Sequence, residues 1–308
     1  MLAGLTMLQV AILLTCAVVL DYALGEARRW HPLVGFGKLA MCLERALNKS
    51  RKRFFRGTLA WMLAVLPLTA LAFLLCDHAG LAAHALLLYF SLGLRSLREH
   101  NLPIAQALAC GDLAQARLLT ARIVSRDTAM ASEADLAKAS TESLLENGND
   151  AVFGTLFWFI VAGGAGAIMF RLANTLDAMW GYRSARFLQF GCAAARIDDA
   201  LNFIPARLTA VSYVLLGSAH RSAWRCWRQQ ARHWPSPNAG PVMASGAGAL
   251  GVSLGGAASY DGIIEQRPVL GHGRSAQGMD IVRAWKLVRD TTLLWLAVSF
   301  LVAGALHA

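Results

Sequence analysis

Long apolar segments alternate with short, strongly charged ones along this chain. Four apolar segments have about the length of a membrane-spanning helix: residues 2–20, 58–76, 81–97 and 291–306. Two further segments are interrupted by glycine or by proline and arginine: residues 152–170 and 203–217. No strand-like alternation and no repeat of about 20 to 50 residues is visible. The pattern predicts an all-α, polytopic integral membrane protein that forms one membrane domain over residues 1–308.

The composition agrees with a membrane protein. The chain has 308 residues, of which 56% are hydrophobic and 16% charged, and its mean hydropathy is +0.45. The positive charges, which give a net charge of +10, lie beside apolar segments without interleaved aromatic residues. This favours the lipid bilayer over nucleic acid as a partner. Six cysteines without a C-x-x-C pair and eight histidines without metal-ligand spacing predict neither a disulfide framework nor a zinc site.

The basic residues predict the orientation in the membrane. Residues 26–56 contain nine basic and two acidic side chains, so the positive-inside rule puts them in the cytoplasm and the N-terminus outside. No basic residue precedes the first apolar segment, which predicts a retained helix rather than a cleaved signal. Residues 98–151 are expected to form a cytoplasmic helical region. Within it, Ser132 and Asp135 form a capping-box variant at the start of a helix that runs to about residue 146.

The orientations of the two interrupted segments are linked. The basic segments before residue 150 and after residue 217 both favour the cytoplasm, so either both interrupted segments span the membrane or neither does. Re-entrant segments that line a wet cavity are tolerated at membrane depth, and they would keep the polar residues between them on the cytoplasmic side. We favour this arrangement, with a polar site that faces the cytoplasm at the inner membrane, and spanning segments are the alternative.

Three polar blocks lie between residues 122 and 210. They read RIVSRDT with ASTESLLENGND (122–128 and 139–150), RLANTLDAMWGYR (171–183) and FGCAAARIDDALNFIPARLTA (190–210). Ionisable groups in or beside a membrane are costly unless paired or hydrated, so a chain that keeps them usually uses them. The simpler alternative is an interfacial turn or an exposed acidic face whose charges only pair with one another.

Helical spacing brings polar side chains of each block onto one face: Glu142 with Glu146, Asn174 with Asp177, and Asp198 with Asn202. Asp199 lies three residues after Arg196 and is expected to pair with it. Mg²⁺ takes one or two carboxylates plus phosphate oxygens, and arginine binds phosphate through a bidentate fork. The blocks therefore predict a site for Mg²⁺ and a phosphate-bearing substrate in a membrane enzyme or transporter.

A fourth block, at residues 236–256, is rich in glycine and contains the spacing G-x-G-x-x-G at 246–251. A dinucleotide fingerprint needs a preceding strand and an acidic residue about twenty positions later, and neither is visible. Close helix packing through small residues is therefore favoured. The chain has no P-loop sequence, so an ATP site here would be of another type.

In this order, the blocks resemble the CobD/CbiB family, the membrane-bound adenosylcobinamide-phosphate synthases of cobalamin biosynthesis. The resemblance begins at LDYALGEARRWHPLVGFGKL (20–39), continues through RPVLGHG (267–273) and ends with IVRAWKLVRD (281–290). The strings NTLDxMxGYR and ARxDDxLNxxPARLTA are long and specific. Two motifs depart from the family pattern, because Gly-Glu-Ala stands at 25–27 where GDP is common and the glutamate-rich block differs in spelling.

The resemblance implies an enzyme that uses ATP to join the carboxylate of adenosylcobyric acid to aminopropanol or its phosphate, forming an amide. By analogy with other ATP-dependent amide ligases, the carboxylate would become an acyl phosphate that the amine attacks. Mg²⁺ and ATP are the implied cofactors. A homo-oligomer and association with other cobalamin enzymes both stay open.

The residues that match the family's motifs would carry this reaction. Catalytic roles are implied for Asp127, Glu142, Glu146, Asp198 and Asp199. Metal binding is implied for Asp177, Asp198 and Glu146. Substrate binding is implied for Arg126, Asn147, Asn174, Arg183, Arg196, Asn202, Arg207 and Asn238. The alternative from another class is a non-catalytic membrane protein, either a transporter or an AmpE-like sensor; a transporter should show paired inverted halves, which the sequence does not.

The orientation can be tested directly. A cysteine placed at Lys49, in an otherwise cysteine-free chain, should not react with a membrane-impermeant maleimide in intact cells, because the basic segment faces the cytoplasm. It should react after the membrane is permeabilised. Labelling in intact cells would reverse the predicted topology.

Overall fold

A computed structural model describes residues 3–26, 31–49, 51–260 and 262–306. Residues 27–30, which include Arg28 and Arg29 of the basic segment, lie outside the described residues, as does residue 50. The elements along the chain are α1 (Met7–Leu24), α2 (Pro32–Leu47), α3 (Arg53–Ser91), α4 (Leu94–Ala109), α5 (Leu113–Thr120), α6 (Glu133–Gly148), a π-helical turn (Asn149–Phe153), α7 (Gly154–Trp180), α8 (Cys192–Leu216), α9 (His220–Gln230), a 3₁₀ turn (Ala231–His233), α10 (Ala239–Leu250), β1 (Val252–Tyr260), β2 (Ile263–Leu270), β3 (Arg274–Ser275) and α11 (Gly278–Ala305).

Apolar helices dominate the structure. Among the described residues, four helical segments are long and apolar enough to cross a membrane: Met7–Leu24, Arg53–Ala109, Glu133–Trp180 and Gly278–Ala305. Large apolar side chains on these segments are exposed, as Leu63, Leu66 and Phe73 are at 45–56%, and a bilayer would cover them. The protein is therefore a multi-pass membrane protein of the all-α class, with 75% of the described residues in helices.

The chain divides into two compact units. Unit 1 contains Met1–Gly93, Asp150–Asn202 and Leu296–Ala308, and unit 2 contains Leu94–Asn149 and Phe203–Trp295. The assignment of residues 1–308 to one membrane domain, and the span boundaries within it, stay predictions.

In unit 1, α7 doubles back on itself. Ala162 and Gly163 leave helical geometry, and Gly163 has a φ of 63°, which glycine adopts readily. In an unbroken helix residues 154 and 170 would lie about 24 Å apart. Here a Cβ on Gly154 would instead meet the ring of Phe170, so the two arms pack against each other. The predicted glycine interruption therefore exists, while the membrane depth of these arms stays a prediction.

The second arm of α7 is fixed by a core that it shares with α2, α3 and the start of α8. Trp61, Leu176, Trp180 and Phe190 are buried together there, and the rings of Trp180 and Phe190 lie 5.1 Å apart. At the break in α7, the Gly164 N–H donates to Nδ1 of the buried His84 of α3 at 2.9 Å. This packing holds the polar residues of α7 and of the first turns of α8 in fixed positions.

Unit 2 contains a small sheet in the order β2-β1-β3. β1 and β2 form an antiparallel hairpin in which Leu254 pairs with Leu270, and the register shifts between Gly255 and Gly256. β3 pairs with β1 in parallel. The expectation of no strands was wrong at this place. β1 reads VSLGGAASY, and its glycines and alanines, which form strands poorly and mark a bulge, hide the alternation that identifies a strand.

Candidate functional site

The predicted site residues fall into two groups, one in each unit. Unit 1 contains Asn174, Asp177, Arg183, Arg196, Asp198, Asp199 and Asn202. Unit 2 contains Arg126, Asp127, Glu142, Glu146, Asn147, Arg207 and Asn238. Of the predicted metal ligands, Asp177 and Asp198 belong to unit 1 and Glu146 to unit 2.

Asp198 is the centre of the unit 1 group. It lies in α8 with only 7% of its surface exposed, and each carboxylate oxygen accepts a hydrogen bond from an asparagine amide. Oδ1 accepts from Nδ2 of Asn174 in α7 at 3.3 Å, and Oδ2 accepts from Nδ2 of Asn202 at 3.1 Å. The predicted shared face of Asp198 and Asn202 is therefore confirmed. Two amides fix the carboxylate without neutralising its charge.

Two more carboxylates lie within electrostatic range of Asp198. Burial raises the pKa of Asp198 well above its ordinary value, and the charges of Asp150 and Asp177 raise it further. Asp150 comes from the π-helical turn before α7, a distortion that is frequent at functional sites. Asp150 was not predicted from the sequence as a site residue, although it directly precedes an apolar segment. Crowded, buried carboxylates of this kind are stabilised by a bound cation.

Asp199 has a different environment. It is half-buried, and burial raises its pKa, while the nearby charges of Arg196 and Arg183 act in the opposite direction. Arg196 is exposed and acts on Asp199 electrostatically, and the predicted pairing of the two side chains stays a prediction. Nearby, Arg171 of α7 interacts electrostatically with Asp150 and Glu26, and its buried Nε has no hydrogen-bond partner among the described residues.

The loop at residues 181–191, which carries Arg183, is tied down by α2. Glu44 accepts from Arg186 at both oxygens, at 3.0 and 2.6 Å, and also from Nδ2 of Asn48 at 2.7 Å. The same Asn48 amide donates to the backbone carbonyl of Arg186 at 3.1 Å. The hydrogen bonds from Arg186 hold the pKa of Glu44 below its ordinary value. The tether therefore persists at neutral pH and is lost only as the pH falls through this lowered pKa.

In unit 2, Glu142 is buried and fully occupied. Its Oε1 accepts from the Gly255 N–H at 2.7 Å, and its Oε2 accepts from Arg267 at 3.2 Å and from Arg126. The guanidinium of Arg267 also lies 5.3 Å from the ring centroid of Trp234. Glu142 thus joins α6, the β-hairpin and the loop before α6, as a positioning residue does. Arg267 was not predicted from the sequence as a site residue, although it begins the block RPVLGHG.

Most of the other predicted residues of unit 2 form hydrogen bonds with other groups of the protein. Asp127 is exposed, donates its N–H to the Ser259 carbonyl at 2.9 Å and accepts from the Ala129 N–H at 3.0 Å. Arg207 donates to Oδ1 of Asn238 at 2.7 Å, so two predicted substrate-binding residues contact each other. Asn147 donates to Ser143 at 3.0 Å, and Glu146 is half-buried.

A cavity of about 290 Å³ adjoins the Glu142 cluster in unit 2. Its wall includes Arg126, Asp127, Lys138 and Ser259. It therefore has the volume and the charged lining for a small polar substrate.

The donor set of unit 1 fits Mg²⁺. Among the described residues, no group of three or more His, Cys, Asp or Glu side chains forms a protein-only metal cage. Mg²⁺ rarely uses such a cage, because it prefers one or two carboxylates with water and phosphate oxygens. Asp198 and Asp177 offer carboxylate oxygens of this kind, and in the same unit the charges of Arg183 and Arg196 act on the adjacent Asp199.

Comparison with known proteins gives the family. The family model described as CobD/Cbib protein matches residues 14–288. Cobalamin biosynthesis protein CobD of Stutzerimonas stutzeri is 58% identical over 95% of this chain and 97% of its own length. The protein of the same name from Chromobacterium violaceum is 51% identical over 97% of this chain and 99% of its own length, and that of Mycobacterium tuberculosis H37Rv is 38% identical over 91% of each. No solved structure matches.

Fold and site together define a multi-pass helical membrane protein with buried ionic groups in both of its compact units. The chain belongs to the CobD/Cbib family, as its motifs indicated. It is thus a member of a family of cobalamin biosynthesis proteins.

The Glu44 tether generates one prediction. Glu44→Gln should free the loop at residues 181–191, because Arg186 loses a charged, bidentate partner. A tether worth about 1.5 kcal/mol corresponds to about tenfold faster tryptic cleavage after Arg183 in the folded protein. Glu133→Gln, at an exposed carboxylate of α6, is the control. An unchanged cleavage rate for Glu44→Gln would show that other contacts hold the loop.

The hydrogen bonds of Glu142 with Arg126 and Arg267 generate a second prediction. Glu142→Gln leaves two nearly buried arginines facing each other and should destabilise the protein by about 3–5 kcal/mol. Arg267→Gln leaves a neutral pair of Glu142 and Arg126 and should cost only about 1–2 kcal/mol. Thermal unfolding in detergent measures both, with exposed Glu265→Gln as control. Equal losses for the two variants would contradict the role of Glu142 as the shared counter-charge.

Proposed function

We propose that this protein is an ATP-dependent amide-forming synthase, an adenosylcobinamide-phosphate synthase. It would join adenosylcobyric acid to aminopropanol phosphate or to free aminopropanol at the cytoplasmic face of the inner membrane. Family membership supports the pathway. The observation that carries the reaction type is the buried Asp198 carboxylate, held by two amides and crowded by Asp150 and Asp177.

This group suits a reaction that concentrates negative charge. When bound, Mg²⁺ would neutralise phosphate oxygens of ATP and polarise the phosphoryl group that activates the substrate carboxylate. Asp198 and Asp177 would hold the ion, and Asn174 and Asn202 would keep Asp198 aimed at it. Arg183 and Arg196, at the surface of the same unit, would bind phosphate or the substrate carboxylate.

The residues of unit 2 would have distinct roles. Glu142 would position the hairpin through Arg126, Arg267 and the Gly255 N–H rather than act as a base, because its oxygens already accept these hydrogen bonds. Asp127 is exposed beside the 290 Å³ cavity of the same unit, so it is better placed than Glu142 to interact with a substrate that enters this cavity.

Activity in purified form tests the proposal. Protein in detergent should convert adenosylcobyric acid to the amide with one of the two amines, consume one ATP per amide and require a divalent cation. Asp198→Asn should lower turnover at least about a hundredfold, because the amide cannot supply the charge. Asn202→Leu should raise the half-saturating Mg²⁺ concentration by about tenfold to a hundredfold.

Glu133→Gln is the matched control for both variants and should keep wild-type turnover. Corrinoid that is bound and released unchanged, without nucleotide consumption, would favour a transporter or sensor instead. Wild-type metal response in Asp198→Asn would move the proposed cation site away from α8.

A further inference from the structure

The segment around α9 contains several basic residues and no acidic residue. Residues 200–260 contain no aspartate or glutamate, and they contain five arginines: Arg207, Arg221, Arg225, Arg228 and Arg232. Arg207 is occupied by Asn238 and by the Pro237 carbonyl. The remaining four lie on α9 and directly after it, so this part of unit 2 has a local excess of positive charge.

Helix geometry concentrates the excess on one face. Arg221, Arg225 and Arg228 follow each other at four and three residues, and Trp224 lies among them with 48% of its surface exposed. The Arg228 guanidinium lies 5.8 Å from the Trp224 ring centroid. We call Arg221, Trp224, Arg225 and Arg228 the α9 basic face; together with Gln229 they line an open groove of about 640 Å³.

The α9 basic face has a fixed orientation, because the rest of α9 is packed against the protein. On the opposite side of α9, Ala223 and Cys226 are fully buried, and a Cβ on Gly248 of α10 would come within 2.7 Å of the Ala223 Cα. At the end of α9, Gln230 accepts from the Gly271 N–H at 2.7 Å and donates to the Gly271 carbonyl at 3.3 Å. The arginines are therefore held side by side, where they repel one another unless an anion lies between them.

The helix before α9, α8, has an exposed apolar surface that adjoins the α9 basic face. α8 exposes an apolar stripe along residues 204, 208, 211 and 215, each between 39% and 60% exposed. Such a stripe is suited to contact with lipid tails. α8 ends at Leu216 and α9 begins at His220, so the basic face starts one short turn after this exposed apolar stripe.

We propose that the α9 basic face binds the phosphate headgroups of anionic phospholipids at the surface of the bilayer. Guanidinium forks match phosphate oxygens, and tryptophan favours the interface between lipid and water. Basic amphipathic helices beside apolar ones bind anionic membranes in the same way. This contact is separate from the proposed reaction and would fix unit 2 at the membrane surface.

Lipid binding by the full chain tests this. Protein in a neutral detergent is titrated with phosphatidylglycerol or with phosphatidylcholine of the same acyl chains, and bound lipids are counted by native mass spectrometry. Wild-type protein should bind phosphatidylglycerol preferentially. Arg221→Gln/Arg225→Gln/Arg228→Gln should weaken that binding about a hundredfold, at about fivefold per arginine. The corresponding lysine variant should keep most of the preference.

Arg122→Gln/Lys286→Gln removes exposed basic side chains elsewhere in unit 2 and should leave the preference unchanged. The melting temperature checks the fold of each variant, and Arg225→Gln alone should still show about a fivefold loss. Equal binding of phosphatidylglycerol by the wild-type and the glutamine variants would overturn the proposal. Displacement of the lipid by free glycerol phosphate at equal concentration would also overturn it, because the face would then be a site for soluble phosphates.

Discussion

Charge placed inside an apolar helical protein must be compensated, and the arrangement of Asp198 follows from this constraint. Its two oxygens accept hydrogen bonds from Asn174 and Asn202, which orient the carboxylate but leave its charge in place. Asp150 and Asp177 add further negative charge within electrostatic range. The break in α7 and the core around Trp180 hold these groups together in unit 1 although they repel. A structure that maintains such repulsion suits a bound cation.

Unit 2 also buries a carboxylate, but there the protein itself supplies the compensating positive charge. There one buried carboxylate, Glu142, faces Arg126, Arg267 and a backbone N–H, so its charge is already neutralised inside the protein. We propose that a group satisfied in this way positions other elements rather than reacting. The carboxylate groups of the two units look alike in sequence, because both combine acidic residues, arginines and asparagines at helical spacing. Only their partners separate a candidate cation site from a structural ion cluster.

Local sequence patterns predicted local structure well. The capping box of Ser132 and Asp135 begins α6, and the shared face of Asp198 and Asn202 exists as a hydrogen bond. Contacts between segments that are distant in sequence were harder to predict. The Glu142 interaction with Gly255 joins residues 113 positions apart, and the hairpin that supplies Gly255 has too many small residues to show a strand pattern. Arg267 and Asp150 were missed for the same reason, since each gains its meaning from partners that sequence spacing does not relate.

The central claim is that the crowded carboxylates of unit 1 serve a cation and phosphate in carboxylate activation. Adenosylcobyric acid labelled with ¹⁸O in its reacting carboxylate, incubated with ATP, Mg²⁺, the amine and the purified protein, tests this most directly. Activation through an acyl phosphate transfers one carboxylate oxygen to the released inorganic phosphate. The account predicts one ¹⁸O in phosphate for each amide formed; amide formation with unlabelled phosphate would contradict it.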